Sequence, residues 1–174
     1  MVSWSHWEDA RTHAPQDIPA TFRATLLTRL GEGGLIAALA LLNQRTRFRF
    51  TGLYRVAPPQ LHNVSLFDRE NPSLNVSGAV CGLVETYCSI VHESGQPLRI
   101  GDATVDARVR AHPARESIQS YAGVPIRRPG GQVLGTLCHF DGRPRIMPSG
   151  ELAVMQEVAS LLIPWLASDG ALPE

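Results

Sequence analysis

The sequence lacks several features that define large classes of proteins. Its longest uninterrupted apolar run covers residues 35–42, far short of the ~20 residues that a membrane-spanning helix needs. The first residues do not combine a basic start with an apolar segment, so we expect no signal peptide. Cysteine is sparse and odd in number, with Cys81, Cys88 and Cys138, a pattern that argues against a disulfide scaffold. We therefore expect a cytoplasmic protein with reduced thiols.

The chain also lacks net charge, because sixteen Lys and Arg residues balance sixteen Asp and Glu residues. A neutral chain offers no broad positive surface, so we expect no binding to nucleic acid or to an anionic membrane. Hydrophobic residues make up 44% of the sequence and charged residues 18%, which is ordinary for a globular protein. A chain of 174 residues is long enough for one domain with a sizeable core.

Hydrophobic spacing divides the chain into a polar tail over residues 1–17, one domain over 18–167 and a short tail over 168–174. Apolar residues three or four apart predict four helices, with Asp17 capping the first and Ser149 capping the last. These helices cover residues 18–30, 35–45 and 79–93 and the segment that follows Ser149. The β-prone segments that predict strands are 47–56, 60–67, 98–101, 118–127 and 132–140.

Glycine and proline mark the boundaries between these elements. Gly31, Gly33 and Gly34 separate the first two helices, and Pro164 should kink or end the last one. Short turns predict one hairpin around residues 57–59 and another around residues 129–131, so the sheet should be largely antiparallel. Helices that are segregated from an antiparallel sheet give an α+β fold.

Three stretches resemble the GAF domain family. They read LNQRTRFRFTGLYR over residues 42–55, SYAGVPI over 120–126 and LGTLCHFD over 134–141. Residues 97–103, PLRIGDA, are similar to the family's middle strand, and the resemblance extends over about residues 18–167. It implies a GAF-like, PAS-related fold, with a central antiparallel sheet, terminal helices on one face and a ligand pocket on the other. Family ligands include cyclic nucleotides, tetrapyrroles and amino-acid-sized metabolites.

Strand alternation then predicts which residues line the pocket. In the strand 134–140, Thr136, Cys138 and Phe140 share one face, whereas Leu137 and His139 share the other. Comparison with the corresponding strand of phytochromes directs the Phe140 face toward the cavity. We expect ligand contacts from Thr136, Cys138, Phe140 and Tyr121, with Cys88 or Asp102 at the rim.

Two specific functions of proteins that share this resemblance, covalent bilin binding and methionine sulfoxide reduction, are not favoured by the residues present. The segment that carries the chromophore-attaching cysteine of bilin photoreceptors has no counterpart, so we expect no covalent bilin and leave the ligand unknown. Residues 78–82 resemble a cysteine-containing segment of the free methionine sulfoxide reductases, and Cys88 follows. The catalytic loop cysteine of those enzymes is missing, because residues 112–116 read HPARE. Buried packing of Cys81 and Cys88 is the alternative interpretation.

Other polar residues allow further hypotheses. Cys88 and His92, four residues apart on one predicted helix, have a spacing that could bind a metal, but ordinary packing is the favoured interpretation, so we expect no metal site. Asp102, Asp106 and His112 could bind a polar ligand or act as acid and base, or could be capping and solvated residues.

We therefore expect a small-molecule-binding sensory module in signal transduction that acts in trans on a signalling protein, and no enzymatic activity. The alternatives are a protein-interaction or dimerisation module whose pocket is filled by its own side chains, and a reductase-like enzyme. Wide apolar helix surfaces, including Leu161, Trp165 and Leu166, predict a homodimer through the terminal helices.

Overall fold

The computed structural model describes residues 19–167, so both predicted tails and the Asp17 cap lie outside the described residues. Helix α1 spans Ala20–Asn43, and Leu26, Leu30, Leu35, Leu39 and Leu42 form its buried stripe. The two helices expected here are assigned as one, but the backbone leaves the helical conformation at Gly34, with φ 67° and ψ −162°. A positive φ is accessible to glycine at little cost, which explains why the break occurs within the glycine cluster.

A six-stranded antiparallel sheet forms the centre of the domain, with the strand order β3-β2-β1-β6-β5-β4. The outer strands β3 and β4 are Val80–Gly82 and Leu98–Ile100. The inner strands are β1 (Phe50–Ala57), β2 (Gln60–Asp68), β5 (Ser120–Arg127) and β6 (Val133–Asp141). Both predicted hairpins are confirmed, since β1 pairs with β2 and β5 pairs with β6 in antiparallel register.

The helix predicted over residues 79–93 is wrong for its first half. This segment contains strand β3, a 3₁₀ turn over Leu83–Glu85 and a short helix α2 over Cys88–Ser94. Cys81 pairs with Leu61 of β2, and Val80 and Val84 are 50% and 66% exposed. Helix α2 ends at Gly95, whose φ of 61° is the left-handed conformation that glycine favours at a helix C-terminus. Two further 3₁₀ turns, Ala107–Val109 and Pro113–Glu116, connect β4 to β5.

The final helical region is divided as Pro164 predicts, into α3 (Glu151–Leu161) and α4 (Ile163–Ala167). The predicted Ser149 cap is wrong, because Gly150 with a φ of 79° precedes α3 and no side chain caps it. Glu151 is buried and forms an ion pair with Arg45, at 3.0 Å between Nε and Oε2. This pair fixes the start of α3 against the segment that follows α1.

The sheet separates two hydrophobic cores. Helices α1, α3 and α4 pack on one face against residues that include Leu53, Val124 and Leu137. We call this the helix face, and it contains Leu162 and Leu166 as core residues. The opposite face, which we call the site face, carries Leu61, Cys138 and the residues packed on them from α2 and the 102–118 segment. The predicted α+β class and the placement of the terminal helices on one face are therefore confirmed.

By length and composition, helix α1 is long and apolar enough to cross a membrane. Within its most apolar 18-residue segment, 28% of the residues are buried. A core helix of a soluble protein meets the same criterion, and Leu26, Leu39 and Leu42 of α1 are fully buried in the helix-face core. Helix length and composition therefore do not establish a membrane span.

Candidate functional site

Strand β6 directs its alternate side chains into the two cores, as its sequence predicts. Cys138 belongs to the site-face cluster, and Phe140 packs against the same cluster. Leu137 lies in the helix-face cluster, and the His139 ring stacks on Phe48 with 5.9 Å between ring centroids. The predicted lining residues therefore lie on the face away from the terminal helices.

Helix α2 brings Cys88 onto this face of β6. The Thr136 hydroxyl donates a hydrogen bond to Cys88 Sγ at 3.1 Å, and the Tyr121 hydroxyl lies 3.4 Å from the same sulfur. Cys138 belongs to the same buried cluster, and its thiol donates to the Gly52 carbonyl at 3.8 Å. Cys88 is only 3% exposed, so it lies inside the site and not at the rim. Four of the six predicted residues thus lie together in one buried group, and three of them are joined by hydrogen bonds.

The two thiols of this group differ in acidity. Hydrogen bonds from Cys138, Thr136 and Tyr121 hold the pKa of Cys88 below the usual range of a thiol, although burial opposes this shift. Burial, followed by the neighbouring Cys88, raises the pKa of Cys138. Cys88 is therefore the more acidic of the two thiols.

Two glycines shape the floor of the site. Gly52 and Gly123 are the register partners of Cys138 on the two strands that flank β6. A Cβ built on Gly52 would lie 2.5 Å from the Tyr54 ring, and one on Gly123 would lie 2.2 Å from the Tyr121 hydroxyl oxygen. The two tyrosine rings therefore lie across glycines, on either side of Cys138, in space that any other residue would occupy.

Tyr54 and Asn63 extend this group toward β2 and were not among the predicted site residues. They are register partners, and the Asn63 side chain donates to the Ser65 carbonyl at 3.3 Å. Burial raises the pKa of Tyr54 well above its usual value. Asn63 Oδ1 is buried without a hydrogen-bond partner, so it is an acceptor available inside the site. The mirrored spacing Gly52-x-Tyr54 and Tyr121-x-Gly123 is the sequence signal that could have identified both tyrosines.

Phe140 lies at the less buried end of the site. Its ring stacks on Phe50 with 4.9 Å between centroids and is tilted against Tyr54 at 6.5 Å. Asp102, by contrast, is not brought into the hydrogen-bonded group. Its carboxylate accepts hydrogen bonds from the backbone and hydroxyl of Thr104, which closes a local turn after β4.

The other polar candidates of the covering segment also have local partners. Asp106 caps the Ala107–Val109 turn and forms an ion pair with Arg108 at 2.6 Å. His112 Nδ1 accepts from the Ala114 backbone, and its ring lies 4.8 Å from Tyr87. These contacts favour a structural role for Asp106 and His112. Among residues 19–167, no three His, Cys, Asp or Glu side chains form a cluster that could hold a metal ion.

A separate cleft of about 310 Å³ lies beside the C-terminal end of α2. Gly95, Arg127, Gln156 and Ser160 are among its lining residues, and none of the predicted site residues borders it. Arg127 is held there by the carbonyl oxygens of Gly95 and Gly131. The cleft is therefore distinct from the group around Cys88.

Solved structures with the same fold include proteins with different activities. The GAF domain of an Acinetobacter phosphoenolpyruvate-protein phosphotransferase aligns with a TM-score of 0.65 at 12% identity, covering 85% of this chain and 92% of that one. Free methionine-R-sulfoxide reductase from Neisseria meningitidis, solved with its substrate, aligns with a TM-score of 0.63 at 16% identity, covering 85% and 89%. The chromophore-binding domain of a bacteriophytochrome from R. palustris aligns with a TM-score of 0.60 at 12% identity, covering 85% and 60%. Identities this low establish the shared fold alone.

Sequence comparison defines the family more directly. No curated protein matches the chain, but the family model for the GAF domain matches residues 35–163. This range includes all six strands and the whole group around Cys88. GAF domains are generally soluble sensory or regulatory modules that bind small molecules. The chain belongs to the GAF domain family.

Proposed function

We propose that this protein is a cytoplasmic small-molecule sensor, which binds its ligand on the site face and acts on a signalling protein in trans. The observation that supports this function is the concentration of polar groups inside an otherwise apolar core. Cys88, Tyr121 and Thr136 form a hydrogen-bonded group in the core that includes residues of α2 and of the 102–118 segment. The unpartnered Oδ1 of Asn63 adds a buried acceptor on β2, opposite Tyr54 in the strand register. A few oriented polar groups within an apolar shell are typical of a small-molecule site.

The distribution of charge favours a neutral ligand. The buried charged residues of the described chain are Asp68, Asp141 and Glu151, and each of them is paired with an arginine. A charged ligand group buried among Cys88, Tyr121 and Thr136 would lack a compensating charge, which is costly. We therefore expect a neutral or weakly polar molecule and not a nucleotide or a free amino acid.

Ligand binding can be tested on protein purified without any added ligand. Native mass spectrometry should detect a bound small molecule, which denaturation releases for identification. Readdition of that molecule to stripped protein should stabilise the fold by ~2.7 kcal/mol at a concentration one hundred times its Kd. The absence of both a bound mass and any thermal shift across neutral metabolites would contradict the proposal.

Two buried threonines provide a matched pair of variants. Thr136→Val removes a hydroxyl on the site face, and Thr51→Val removes one on the helix face, where it contacts His139. We expect Thr136→Val to weaken binding of the identified molecule and Thr51→Val to leave its Kd unchanged. Equal effects of the two substitutions would place the ligand elsewhere.

A protein-interaction module with a self-filled pocket is the second candidate function. It is favoured by the position of the Tyr54 and Tyr121 rings, which occupy the space above Gly52 and Gly123. Under this hypothesis the tyrosines complete the core, and no small molecule stabilises the protein. The native mass spectrum therefore distinguishes the two functions.

We also propose that the protein forms a homodimer through α1, because only 28% of the most apolar window of this helix is buried within the chain. Leu27 on this helix is 46% exposed, whereas Leu162 and Leu166 of the final helical region are buried in the helix-face core. Leu27→Glu should convert a dimer into a monomer in light scattering at micromolar concentration. Leu74→Glu is the control, since Leu74 is 51% exposed in the loop after β2. A monomeric wild-type protein would refute the dimer.

A further inference from the structure

The cleft beside the C-terminal end of α2 is bordered by elements from both faces of the sheet. Gly95 and Pro97 lie in the connection that follows α2 on the site face, and Arg127 ends β5. Gln156 and Ser160 are four residues apart on α3, so they share one side of a helix that packs on the helix face. The cleft therefore lies where the two layers of the domain meet, and its volume of about 310 Å³ suits a small molecule.

The guanidinium group of Arg127 is fixed in this cleft. It donates one hydrogen bond to the Gly131 carbonyl at 2.9 Å and another to the Gly95 carbonyl. A Cβ on Gly95 would overlap this guanidinium, so glycine at this position leaves the space that Arg127 occupies. Both acceptors are neutral main-chain groups. The cation is therefore held in place by hydrogen bonds that do not neutralise its charge.

No acidic side chain compensates this charge within residues 19–167. None of the ion pairs of the described chain includes Arg127, and the lining of the cleft contains no Asp or Glu. A guanidinium has five N–H donors, and the two carbonyls accept one hydrogen bond each, which leaves up to three donors for a ligand. Arginine pairs with carboxylates through two parallel hydrogen bonds. A carboxylate thus matches the group that the cleft presents.

The remaining lining narrows the class of ligand. Ile126 and Ala159 are buried, and together with Pro97 and Pro125 they give the cleft an apolar wall that suits a hydrocarbon group. A free amino acid is disfavoured, because its ammonium group would meet the charge of Arg127 and no carboxylate. A phosphate dianion would have one cation for its two charges. These features favour a carboxylate that carries a single charge and a short apolar group.

We propose that this cleft binds a small organic monocarboxylate, with Arg127 as the residue that recognises the carboxylate group. The proposal does not rest on the proposed function, because the cleft is separate from the site face, where the surroundings favour a neutral ligand. A bound carboxylate would contact both the connection after α2 and helix α3, and so would link the two layers of the domain.

Benzoate and benzamide are a matched pair of probes for this site, because they share size and shape and only benzoate is charged. Each is titrated into the isotope-labelled full-length protein, and amide signals are followed by NMR. We expect benzoate to shift the backbone signals of Gly95, Gln96 and Arg127 and the side-chain Nε signal of Arg127 in a saturable manner. For so small a ligand the Kd should be about 1 mM.

Benzamide should bind at least about tenfold more weakly, because a hydrogen bond between two charged groups is stronger than one to a neutral amide. Equal affinities for the two probes, or the absence of a saturable shift with benzoate, would overturn the proposal. Benzoate shifts centred on Tyr121 and Thr136 would also overturn it, since they would place the anion on the site face.

Two adjacent arginines provide matched variants. Arg127→Gln and Arg128→Gln each remove one positive charge, but Arg128 is not among the residues that line the cleft. We expect Arg127→Gln to raise the Kd for benzoate by about tenfold or more, and Arg128→Gln to change it by less than about twofold. Equal losses in the two variants would attribute binding to the general charge of this region and would refute the site.

Inorganic phosphate tests whether the cleft accepts any anion. At the concentration of benzoate it should leave the benzoate shifts unchanged, whereas displacement of benzoate by phosphate would contradict a carboxylate site. The comparison of benzoate with benzamide uses the wild-type protein, so it decides the question even if Arg127→Gln fails to fold.

Discussion

His139 should make the stability of this protein strongly dependent on pH. Its imidazole is fully buried on the helix face, with Nδ1 2.7 Å from the Thr51 hydroxyl oxygen. Asn43 donates to the same oxygen, so the Thr51 hydrogen is directed to Nδ1, and the hydrogen bonding assigns the imidazole proton to Nε2. Nε2 is buried without a hydrogen-bond partner. The surroundings of His139 therefore favour the neutral imidazole over the charged imidazolium.

The size of this stability change follows from the difference between the pKa of His139 in the folded and in the unfolded protein. Burial, followed by the positive charge of Arg69, lowers the pKa of His139 from 6.5 to about 3. The unfolded chain therefore binds this proton more readily than the folded one, and stability falls as pH drops below 6.5. Between pH 7.5 and pH 5.0 the loss from this residue amounts to about 2 kcal/mol.

Urea unfolding at pH 7.5 and pH 5.0 measures this loss. Glu151 acts in the opposite direction, because burial raises its pKa to about 7 against the opposing effect of Arg45, and its protonation favours the fold as pH falls. We therefore compare variants and not the wild type alone. His139→Asn retains an acceptor for Thr51 but has no group that titrates, so it should lose about 2 kcal/mol less than the wild type over this interval.

Val124→Ala is the matched control, since it creates a cavity in the same core without removing a titratable group. It should be less stable than the wild type at both pH values and show the same difference between them. The reasoning is refuted if His139→Asn and the wild type lose equal stability on acidification. It is also refuted if the imidazole resonance of His139 titrates in the native protein near 6.5.

Three further outcomes are expected. Gly123→Ala should destabilise the protein by roughly 1–3 kcal/mol in urea unfolding, because its methyl group would overlap the Tyr121 ring, and an unchanged midpoint would contradict this packing. Free methionine sulfoxide with a thiol reductant should give no turnover above background, and turnover abolished by Cys81→Ser would disprove this. Arg45→Met should destabilise the fold at pH 8 by roughly 1–3 kcal/mol, and less at pH 5, where Glu151 is protonated. An equal cost at both pH values in unfolding experiments would show that the loss is not electrostatic.

The sequence predicted those elements whose signal is local. The hairpin formed by β5 and β6 has alternating apolar residues on either side of a glycine turn, and both of its strands lie within two residues of the predicted bounds. Alternation also predicts that Thr136, Cys138 and Phe140 share one face of β6, and the resemblance to the phytochrome strand identified that face as the one away from the terminal helices.

Features that depend on distant partners could not be predicted. Val80 and Val84 have helical spacing, but pairing of Cys81 with Leu61 of β2 imposes a strand on the first half of that segment. An acidic residue in the first turn of a helix usually stabilises the helix start from the surface, whereas Glu151 is buried against Arg45, a residue 106 positions away. Asn63 was missed for the same reason, since only the register between β1 and β2 places it opposite Tyr54.

The glycines beside Cys138 have a consequence for selectivity. Where Gly52 and Gly123 flank Cys138, the floor consists of main chain whose polar groups are engaged in the strand ladder. A molecule that displaced the Tyr54 or Tyr121 ring would meet a flat surface with no spare hydrogen-bonding capacity. The floor would therefore select such a molecule by its thickness and shape and not by hydrogen bonds. Discrimination by chemical group would come instead from the thiol and hydroxyl groups above that floor, so size and polarity would be read by separate parts of the same site.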